Sequence, residues 1–339
     1  MLIVKEMTEL LIPKSERLMY HKNEIKNLLN AVISSCKDIS RLLRNGPQSD
    51  PRQTRCTNST GDIQHTIDVI TNEMLIENIK SSNSCAVIVS EENEDPIIME
   101  DEVAGPYCIA FDPLDGSSNI DCNIPTGTIF AIWERSETVA EISENDILKT
   151  PQDILCCGYC IYSAATELVI VFDGEKPDRY VLDQVSNKFN FISHLEIPAK
   201  SKKICSVNQG NMASWDNTTK WIVKAFNKNG YSSRYVGSLV ADIHRTLLYG
   251  GIYMYPSITK PKLRLLYEVA PMTKIIASAG GTALSGIGIG LNDLLHRTPK
   301  SVHEKTDVIC GSQRDIDTYR NLSTFSELMS KQNFKIEDI

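Results

Sequence analysis

The sequence predicts an α/β protein built from two α/β halves, and three observations support this prediction. Short apolar runs typical of buried strands occur at residues 85–89 and 107–111, and acidic residues follow each run within two positions. Apolar residues recur at steps of three and four between residues 25 and 43, which indicates one stripe of an amphipathic helix. A lysine-rich break at residues 194–203 separates this pattern from a second series of strands and helices.

The first half begins with two predicted helices and continues mainly as strands. The first helix ends at Asn45-Gly46-Pro47, a usual stop sequence, and the second runs through Ile67, Ile70, Met74 and Ile79. The polar residues 46–58 are predicted to form a loop, which beside a binding site would serve as a lid. Further strands are predicted at residues 128–133, 158–163, 167–172 and within 179–191.

The second half alternates strands and helices again. Strands are predicted at residues 204–207, 233–236, 251–255 and 307–310, and helices at 215–227, 239–248, 270–279 and from Asp315 onward. We therefore predict a domain boundary between residues 1–197 and residues 198–339.

The strand-like run at residues 107–111 leads into Asp112-Pro-Leu-Asp115-Gly116-Ser117-Ser118. Carboxylates at a strand end are ligands for hard cations. A Gly-Ser-Ser segment that opens a helix presents free backbone N–H groups to an anion. Metal ligands beside a phosphate seat indicate metal-assisted phosphoryl chemistry. The alternative is an Asx-Pro turn followed by a capped helix.

Five further carboxylates lie at the ends of predicted elements: Asp62, Asp68, Glu91, Glu92 and Glu268. If they converge with the pair above, they cannot all stay ionised without a compensating charge. Divalent cations supply that charge, and hard oxygen ligands select magnesium or manganese. Two or three such ions would activate a water and clamp a transferring phosphoryl group. If the carboxylates do not converge, each is an ordinary solvated acid.

The composition limits which binding partners and which cellular compartment we expect. The formal net charge of −8, with no basic block, argues against nucleic acid, and no run approaches the ~20 apolar residues of a membrane span. Ten cysteines show neither a disulfide framework nor zinc spacing, and there is no signal peptide, so we expect a reduced compartment, by default the cytoplasm. Only Cys157-x-x-Cys160 has redox-like spacing, and it lies in a strand-like run without the helix that such a motif opens.

Several segments together resemble the signature of the class I fructose-1,6-bisphosphatases. They are Phe111-Asp-Pro-Leu-Asp-Gly-Ser-Ser-Asn-Ile-Asp-Cys122, Gly127-Thr-Ile-Phe130, Ser59-Thr-Gly-Asp62, Ser90-Glu-Glu92, Arg234-Tyr-Val-Gly-Ser238, His244-Arg-Thr-Leu247, Gly250-Gly-Ile252 and Lys262-Leu-Arg-Leu-Leu-Tyr-Glu268. The Asp-Pro-Leu-Asp-Gly segment alone also fits the broader inositol monophosphatase-like superfamily, whereas the C-terminal set does not. The resemblance runs from about residue 20 to the C-terminus and implies a layered α/β/α/β/α sugar phosphatase fold.

The resemblance also implies an activity: Mg²⁺-dependent hydrolysis of the 1-phosphate of D-fructose 1,6-bisphosphate in gluconeogenesis, by a cytoplasmic homotetramer. It implies that magnesium, with manganese as the alternative, is held by Asp62, Glu91, Asp112, the Leu114 carbonyl, Asp115 and Glu268, with Arg264 near the metals. Asp68 and Glu92 would accept the proton of the attacking water. The 1-phosphate would lie against Gly116, Ser117 and Ser118. The sugar and its 6-phosphate would contact Asn208, Tyr235, Tyr255, Lys262 and, from a neighbouring subunit, Arg234.

Two departures from the family pattern bear on affinity and regulation. Asn211 stands where many members have a tyrosine, which puts one hydrogen bond to the 6-phosphate in question. AMP-inhibited members bind the nucleotide at the first helix with the help of a nearby lysine and arginine, whereas this chain has Glu24, Pro106 before Tyr107, and Glu134. An anion in place of a cation beside the AMP phosphate should weaken the binding free energy of AMP by several kcal/mol, so we expect AMP inhibition to be weak or absent.

Three alternatives stay open from the sequence. A sedoheptulose-1,7-bisphosphatase would share the fold, although the segment Val240-Ala-Asp-Ile-His-Arg-Thr246 favours the fructose enzyme. A regulatory or scaffold protein on a phosphatase fold would have lost catalysis, against which the complete acidic set argues. A redox sensor would use Cys157 and Cys160.

Overall fold

The computed structural model describes residues 21–45, 55–57, 63–136, 141–256, 261–286 and 290–331. Asp62 and most of the predicted lid therefore lie outside the described residues. Across the part of the chain that is described, no helix is both long and apolar enough to cross a bilayer.

Among the described residues, the first half contains two α-helices and an eight-stranded mixed sheet with strand order β10-β9-β8-β7-β6-β5-β3-β4. Strands β3 and β5 are parallel, the other neighbours in this sheet are antiparallel, and β1 pairs with β2 separately. The elements are α1 Lys22–Arg44, β1 Arg55–Thr57, β2 Ile63–His65, α2 Thr66–Ser81, β3 Cys85–Ser90, β4 Ile97–Ile98, β5 Tyr107–Asp115, β6 Thr126–Glu134, β7 Cys156–Tyr162, β8 Thr166–Phe172, β9 Asp178–Asp183 and β10 Lys188–His194.

The second half contains a six-stranded sheet with strand order β12-β11-β13-β16-β14-β15. Its elements are β11 Ile204–Ser206, α3 Asn217–Lys228, β12 Ser232–Ser233, α4 Leu239–Tyr249, β13 Ile252–Tyr255, a π-helical turn Leu265–Val269, α5 Ala270–Ser278, β14 Gly281–Ser285, β15 Asn292–Asp293, β16 Val308–Ser312 and α6 Gln313–Lys331.

Three apolar clusters stack these elements into alternating layers. Helices α1 and α2 cover one face of the first sheet, α4 and α5 fill the space between the two sheets, and α3 and α6 cover the outer face of the second sheet. Strand β5 shows why the runs are continuously apolar: Tyr107 and Ile109 face the first helix pair, whereas Cys108 and Ala110 face the central pair. A strand buried on both faces has no polar side to alternate with. The predicted layered α/β/α/β/α fold is confirmed.

The structure corrects two local predictions. The predicted strand at residues 233–236 is confined to Ser232–Ser233, and the residues after it form a loop. The helix that opens after Gly116 is a 3₁₀ helix, Ser117–Cys122. Ile70 is 41% exposed, because the buried face of α2 begins with Asp68, Thr71 and Asn72 and becomes apolar only at its end.

The cysteine pair Cys157 and Cys160 lies on strand β7, where residues three apart point to opposite faces. Cys157 packs in the central cluster and Cys160 in the cluster under α1 and α2. The two thiols are therefore separated by the sheet, and burial raises the pKa of both. This geometry contradicts a redox role for the pair.

The central helix layer predicts where an apolar truncation is most costly. Ile243 of α4 has no exposed surface, and Ile243→Ala leaves a cavity between the two sheets, so we expect it to lower the free energy of unfolding by about 2–5 kcal/mol. Ile192 of β10 is 45% exposed, and the matched change Ile192→Ala should stay within about 0.5 kcal/mol. Chemical denaturation followed by circular dichroism measures both, and equal losses would contradict the packing described.

Candidate active site

The end of strand β5 brings two carboxylates to one side of the first sheet. Asp112 pairs with Ile129 and Asp115 with Gly127, so β5 has one more residue than its partner over this interval. Such a bulge changes the side to which the following residue points. The Leu114 N–H donates to Asp112 Oδ1 at 2.9 Å, and Pro113, which has no N–H, places its carbonyl 2.9 Å from the Thr128 hydroxyl. The Asp-Pro turn thus makes the two acids neighbours.

Two other segments complete an acidic cluster, which consists of the buried Asp112, Asp115 and Glu268 and the partly exposed Glu91. Carboxylate oxygens of Asp112, Asp115 and Glu268 lie within 4.8 Å of one another. Glu91 comes from the end of β3, parallel to β5, and its side chain shares a hydrogen bond with Asp112. Glu268 lies on the π-helical turn, where its Oε2 accepts from the Arg264 N–H at 2.5 Å.

Burial and mutual repulsion raise the pKa of each acid in this cluster. Burial first and then the Glu92 carboxylate raise the pKa of Glu91 to about 7. Burial raises the pKa of Asp115 to about 6, although the Val240 N–H and the Ser238 hydroxyl oppose the change. Burial and neighbouring acids raise the pKa of Asp112 and of Glu268 well above the usual range. The cluster therefore holds more negative charge than its surroundings neutralise.

This donor set fits a divalent cation. The cluster offers carboxylate oxygens, which are hard ligands, and contains neither nitrogen nor sulfur donors that would favour zinc or copper. Bound cations would replace the protons that the raised pKa values indicate. The Arg264 guanidinium, which is 2% exposed, opposes the raised pKa of Glu91 and of Glu268.

Asp68 and Glu92 lie on segments that a polar network joins. Asp68 is buried in the first turn of α2, and Glu92 follows Glu91 after β3. The Ser90 hydroxyl donates to Asn72 of α2 at 2.6 Å and accepts from the Glu92 N–H at 3.2 Å. The Asn72 amide also donates to Asn93 at 2.8 Å. These bonds fix the acidic turn after β3 against the helix that carries Asp68.

The Gly116-Ser117-Ser118 segment follows the cluster directly. Gly116 has a left-handed φ of 76°, and an added Cβ would come within 3.2 Å of Ser238 Cβ. A glycine is therefore required both by the backbone conformation and by the approach of the second half. Asn119 in the same 3₁₀ helix donates to the Gly237 carbonyl at 3.1 Å. The segment is thus attached to the loop that carries Tyr235.

The residues predicted to bind the sugar lie around the second sheet. Tyr235 and Tyr255 are both half-buried, and each is close enough to influence the cluster: Asp115 contributes to the raised pKa of Tyr235, and Glu268 to that of Tyr255, which rises to about 12. Asn208 caps a 3₁₀ helix after β11. Lys262 and Arg234 are exposed.

Some contacts in this region carry no signal in the sequence. Asp115 Oδ2 accepts from the Val240 N–H at 2.9 Å and from the Ser238 hydroxyl at 3.2 Å. Tyr267 Oη accepts from Arg264 Nε at 3.2 Å and lies 2.8 Å from His303 Nδ1. His303 Nε2 in turn lies 2.9 Å from the Glu94 carbonyl. Backbone donors and relay residues far apart in the chain become visible only once the chain is folded.

The raised pKa values predict how the stability of the metal-free protein depends on pH. A carboxyl whose pKa is higher in the folded than in the unfolded state destabilises the fold as the pH rises from the unfolded value, near 4.5, through the folded value, about 7 for Glu91. With a chelator present, the unfolding free energy should fall between pH 5 and pH 8. Glu268→Gln removes one charge, and should stabilise the metal-free protein by on the order of 1–3 kcal/mol at pH 8.

Thermal or urea denaturation across this pH range measures the effect. The exposed Glu175 provides the control, because Glu175→Gln should leave the pH slope as in the unaltered protein. A Glu268→Gln variant less stable than the unaltered protein at pH 8 without metal would contradict the repulsion described here.

Comparison with known proteins identifies the family. The family model for the N-terminal domain of fructose-1-6-bisphosphatase matches residues 5–194, and the family model for its C-terminal domain matches residues 197–324. The chain is 41% identical over 305 residues to fructose-1,6-bisphosphatase isozyme 2 of Mus musculus, covering 87% of this chain and 88% of that protein. It is 37% identical over 325 residues to a cytosolic fructose-1,6-bisphosphatase of Arabidopsis thaliana, covering 93% of both.

A solved structure agrees with the sequence matches. The holo form of Leishmania major fructose-1,6-bisphosphatase superimposes with a TM-score of 0.82 at 37% identity, covering 89% of this chain and 95% of that one. This family is metal-dependent, in keeping with the acidic cluster. Two domain matches, relatives of nearly full length and a shared fold lead to one conclusion: the chain belongs to the fructose-1,6-bisphosphatase family, a family of hydrolases.

Proposed function

We propose that this protein hydrolyses the 1-phosphate of D-fructose 1,6-bisphosphate, with Mg²⁺, to give D-fructose 6-phosphate and phosphate in gluconeogenesis. The observation that carries the proposal is the position of Asp115. It belongs to the acidic cluster, precedes the Gly116–Ser118 segment and accepts two hydrogen bonds from the start of α4, which follows the loop with Tyr235. Charge for a metal, a phosphate seat and sugar-binding residues are therefore adjacent.

The metal ligands we propose are the cluster acids together with Asp62 and the Leu114 carbonyl. Two or three Mg²⁺ ions, or Mn²⁺, bound there would neutralise the carboxylates, lower the pKa of a bound water and stabilise charge on the phosphoryl oxygens. Because Asp112, Asp115 and Glu268 are buried, the proposed chemistry would be largely shielded from bulk solvent.

Asp68 and Glu92 are proposed to accept the proton of the water that attacks phosphorus in line with the leaving sugar oxygen. The polar network through Ser90 and Asn72 supports the proposal, since it holds both segments together. Proton acceptance raises the nucleophilicity of the water as the phosphorus–oxygen bond forms. The N–H groups and hydroxyls at Gly116, Ser117 and Ser118 would bind the phosphate that is removed.

The other end of the substrate is proposed to lie against the second half. Asn208, Tyr235, Tyr255 and Lys262 would bind the sugar and the 6-phosphate, with Arg264 near the metals. The exposed position of Arg234 supports the proposal that it reaches a neighbouring subunit of a homotetramer. Such cations give an anionic protein the local charge that its substrate requires. On this proposal residues 1–197 supply most metal ligands, and residues 198–339 bind the sugar.

The compartment and the regulation are proposed on separate grounds. Relatives named as cytosolic fructose-1,6-bisphosphatases support a cytosolic location for this chain. Weak or absent AMP inhibition is supported by a cavity of about 500 Å³ beside the start of α1, which is lined by His21, Ala104, Gly105, Pro106, Glu134 and Arg135. The Glu134 carboxylate in that lining would repel a nucleotide phosphate.

The proposed reaction is tested by phosphate release from fructose 1,6-bisphosphate with Mg²⁺ and with chelator. We expect turnover only with the metal, and Asp68→Asn or Glu92→Gln should lower kcat by about 10²–10⁴ with little change in KM, because each removes a proton acceptor. Glu175→Gln serves as the exposed control. Parallel kinetics on sedoheptulose 1,7-bisphosphate distinguish the two sugars, and an Asp68→Asn enzyme with unchanged turnover would favour a non-catalytic role.

The regulatory proposal is tested by adding AMP to the same assay. We expect activity to be unchanged by micromolar AMP, because Glu134 and Pro106 replace the chemistry that binds its phosphate. Inhibition at micromolar AMP that is abolished by substitution of Glu24 or Tyr107 would show that the nucleotide uses this position after all.

A further inference from the structure

The motif at residues 240–246 contains a buried acid, Asp242, that the proposed mechanism does not use. It lies in the first turn of α4 and has no exposed surface. Its Oδ1 accepts from the Ser206 hydroxyl at 2.7 Å and from Arg245 Nη2 at 2.5 Å. Its Oδ2 accepts from the Gly237 N–H at 3.0 Å, and the Val236 N–H lies 3.1 Å from both oxygens. One carboxylate therefore satisfies donors from three segments.

These bonds define the loop at residues 234–237, which stands in place of most of the strand predicted at residues 233–236. Arg245 Nη2 also donates to the Arg234 carbonyl at 2.8 Å, so Asp242 and Arg245 together hold the backbone on both sides of Tyr235. Gly237 has a φ of +89°, which turns the chain away from the sheet. Its carbonyl then accepts from Asn119, and the next residue, Ser238, donates to Asp115.

The same carboxylate also fixes the end of strand β11. Ser206 is fully buried, and its hydroxyl donates to Asp242 two residues before Asn208. The two side chains proposed to bind the sugar phosphate from this side, Asn208 and Tyr235, thus each lie within two residues of a group that donates to Asp242. Buried hydrogen bonds to an ionised carboxylate are among the stronger ones in proteins.

We propose that Asp242, with Arg245, is the positioning residue for the sugar-phosphate end of the substrate, distinct from the acidic cluster that acts on the 1-phosphate. This inference rests on the proposed function. Asp242 touches no reacting atom; it acts by holding the Tyr235 phenol and the Asn208 amide where a sugar phosphate can contact both. Its loss should therefore weaken binding of the sugar phosphate and spare the chemical step.

The test is Asp242→Asn in the full-length, metal-loaded protein. Asparagine keeps the volume, but its amide NH₂ replaces an acceptor and meets the N–H groups of Val236 and Gly237. We expect KM for fructose 1,6-bisphosphate to rise about tenfold and kcat to change less than about threefold. Calorimetry should show a similar tenfold weakening for D-fructose 6-phosphate, but an unchanged Kd for inorganic phosphate.

Asp315→Asn is the matched control. Asp315 is also buried, and it accepts from Tyr231 Oη at 2.5 Å, Ser201 at 2.9 Å and Ser312 at 2.5 Å, outside the proposed site. Asp315→Asn should lower Tm as Asp242→Asn does, but it should leave the affinities for D-fructose 6-phosphate and for inorganic phosphate unchanged. If Asp242→Asn does not fold, Arg245→Lys is the second variant. It retains the positive charge but loses the guanidinium that donates to the Arg234 carbonyl, and it should weaken binding of D-fructose 6-phosphate about threefold.

A double-mutant cycle with Tyr235→Phe separates positioning from general damage. If Asp242 acts through the Tyr235 phenol, the two changes together should cost less binding of D-fructose 6-phosphate than the sum of the single changes. Strict additivity, an equal loss of affinity for inorganic phosphate, or unaltered D-fructose 6-phosphate binding would each overturn the inference. A wild-type enzyme that binds D-fructose 6-phosphate yet fails to hydrolyse the bisphosphate would overturn the proposed function and leave this inference intact.

Discussion

Electrostatic repulsion among the four acids of the cluster is the constraint on which the rest of the structure depends. A surface site would let water screen these charges, whereas here burial raises the pKa of every member. The fold can hold the acids together only because each is fixed by its own element: Glu91 by the end of β3, Asp112 and Asp115 by the bulge of β5, and Glu268 by the π-helical turn. The cost of this arrangement falls on the metal-free state, and the proposed cation binding would remove it.

The layered architecture provides the stiffness that such a site requires. The cluster acids of the first half emerge from the parallel strands β3 and β5, and the central helices α4 and α5 pack the first sheet against the second one. Glu268 reaches the cluster because the π-helical turn directly precedes α5. Local backbone irregularities at β5 and before α5 thus lie on an otherwise regular, densely packed support, a combination frequent at functional sites.

The sequence was a good guide to elements and a partial guide to the site. Runs such as residues 107–111 are strongly apolar because both faces of the strand are buried. Such a run can be recognised in the sequence without knowing how the strand pairs with its neighbours. The loop at residues 234–237 could not be predicted in the same way, because Arg234, Tyr235 and Val236 have ordinary strand propensity and the acid that draws them into a loop is six residues further along the chain. Likewise, Ile70 is exposed because the face of α2 that packs on the turn after β3 is polar. The spacing of apolar residues along the helix does not predict such a polar interface. The association of Tyr267 with His303 depends on contacts between distant segments.

Asp115 links two events that the fold otherwise keeps apart. Its carboxylate belongs to the acidic cluster, while one of its oxygens is bound to the Ser238 hydroxyl and the Val240 N–H at the start of α4. Anything that polarises or moves this carboxylate therefore changes the free energy of the loop before α4, and ordering that loop changes the carboxylate. On the proposed function, thermodynamic reciprocity requires that a sugar phosphate bound to the loop alter cation affinity by the same factor as the cation alters affinity for the sugar phosphate. The two proposed ligands would then be coupled through a single side chain.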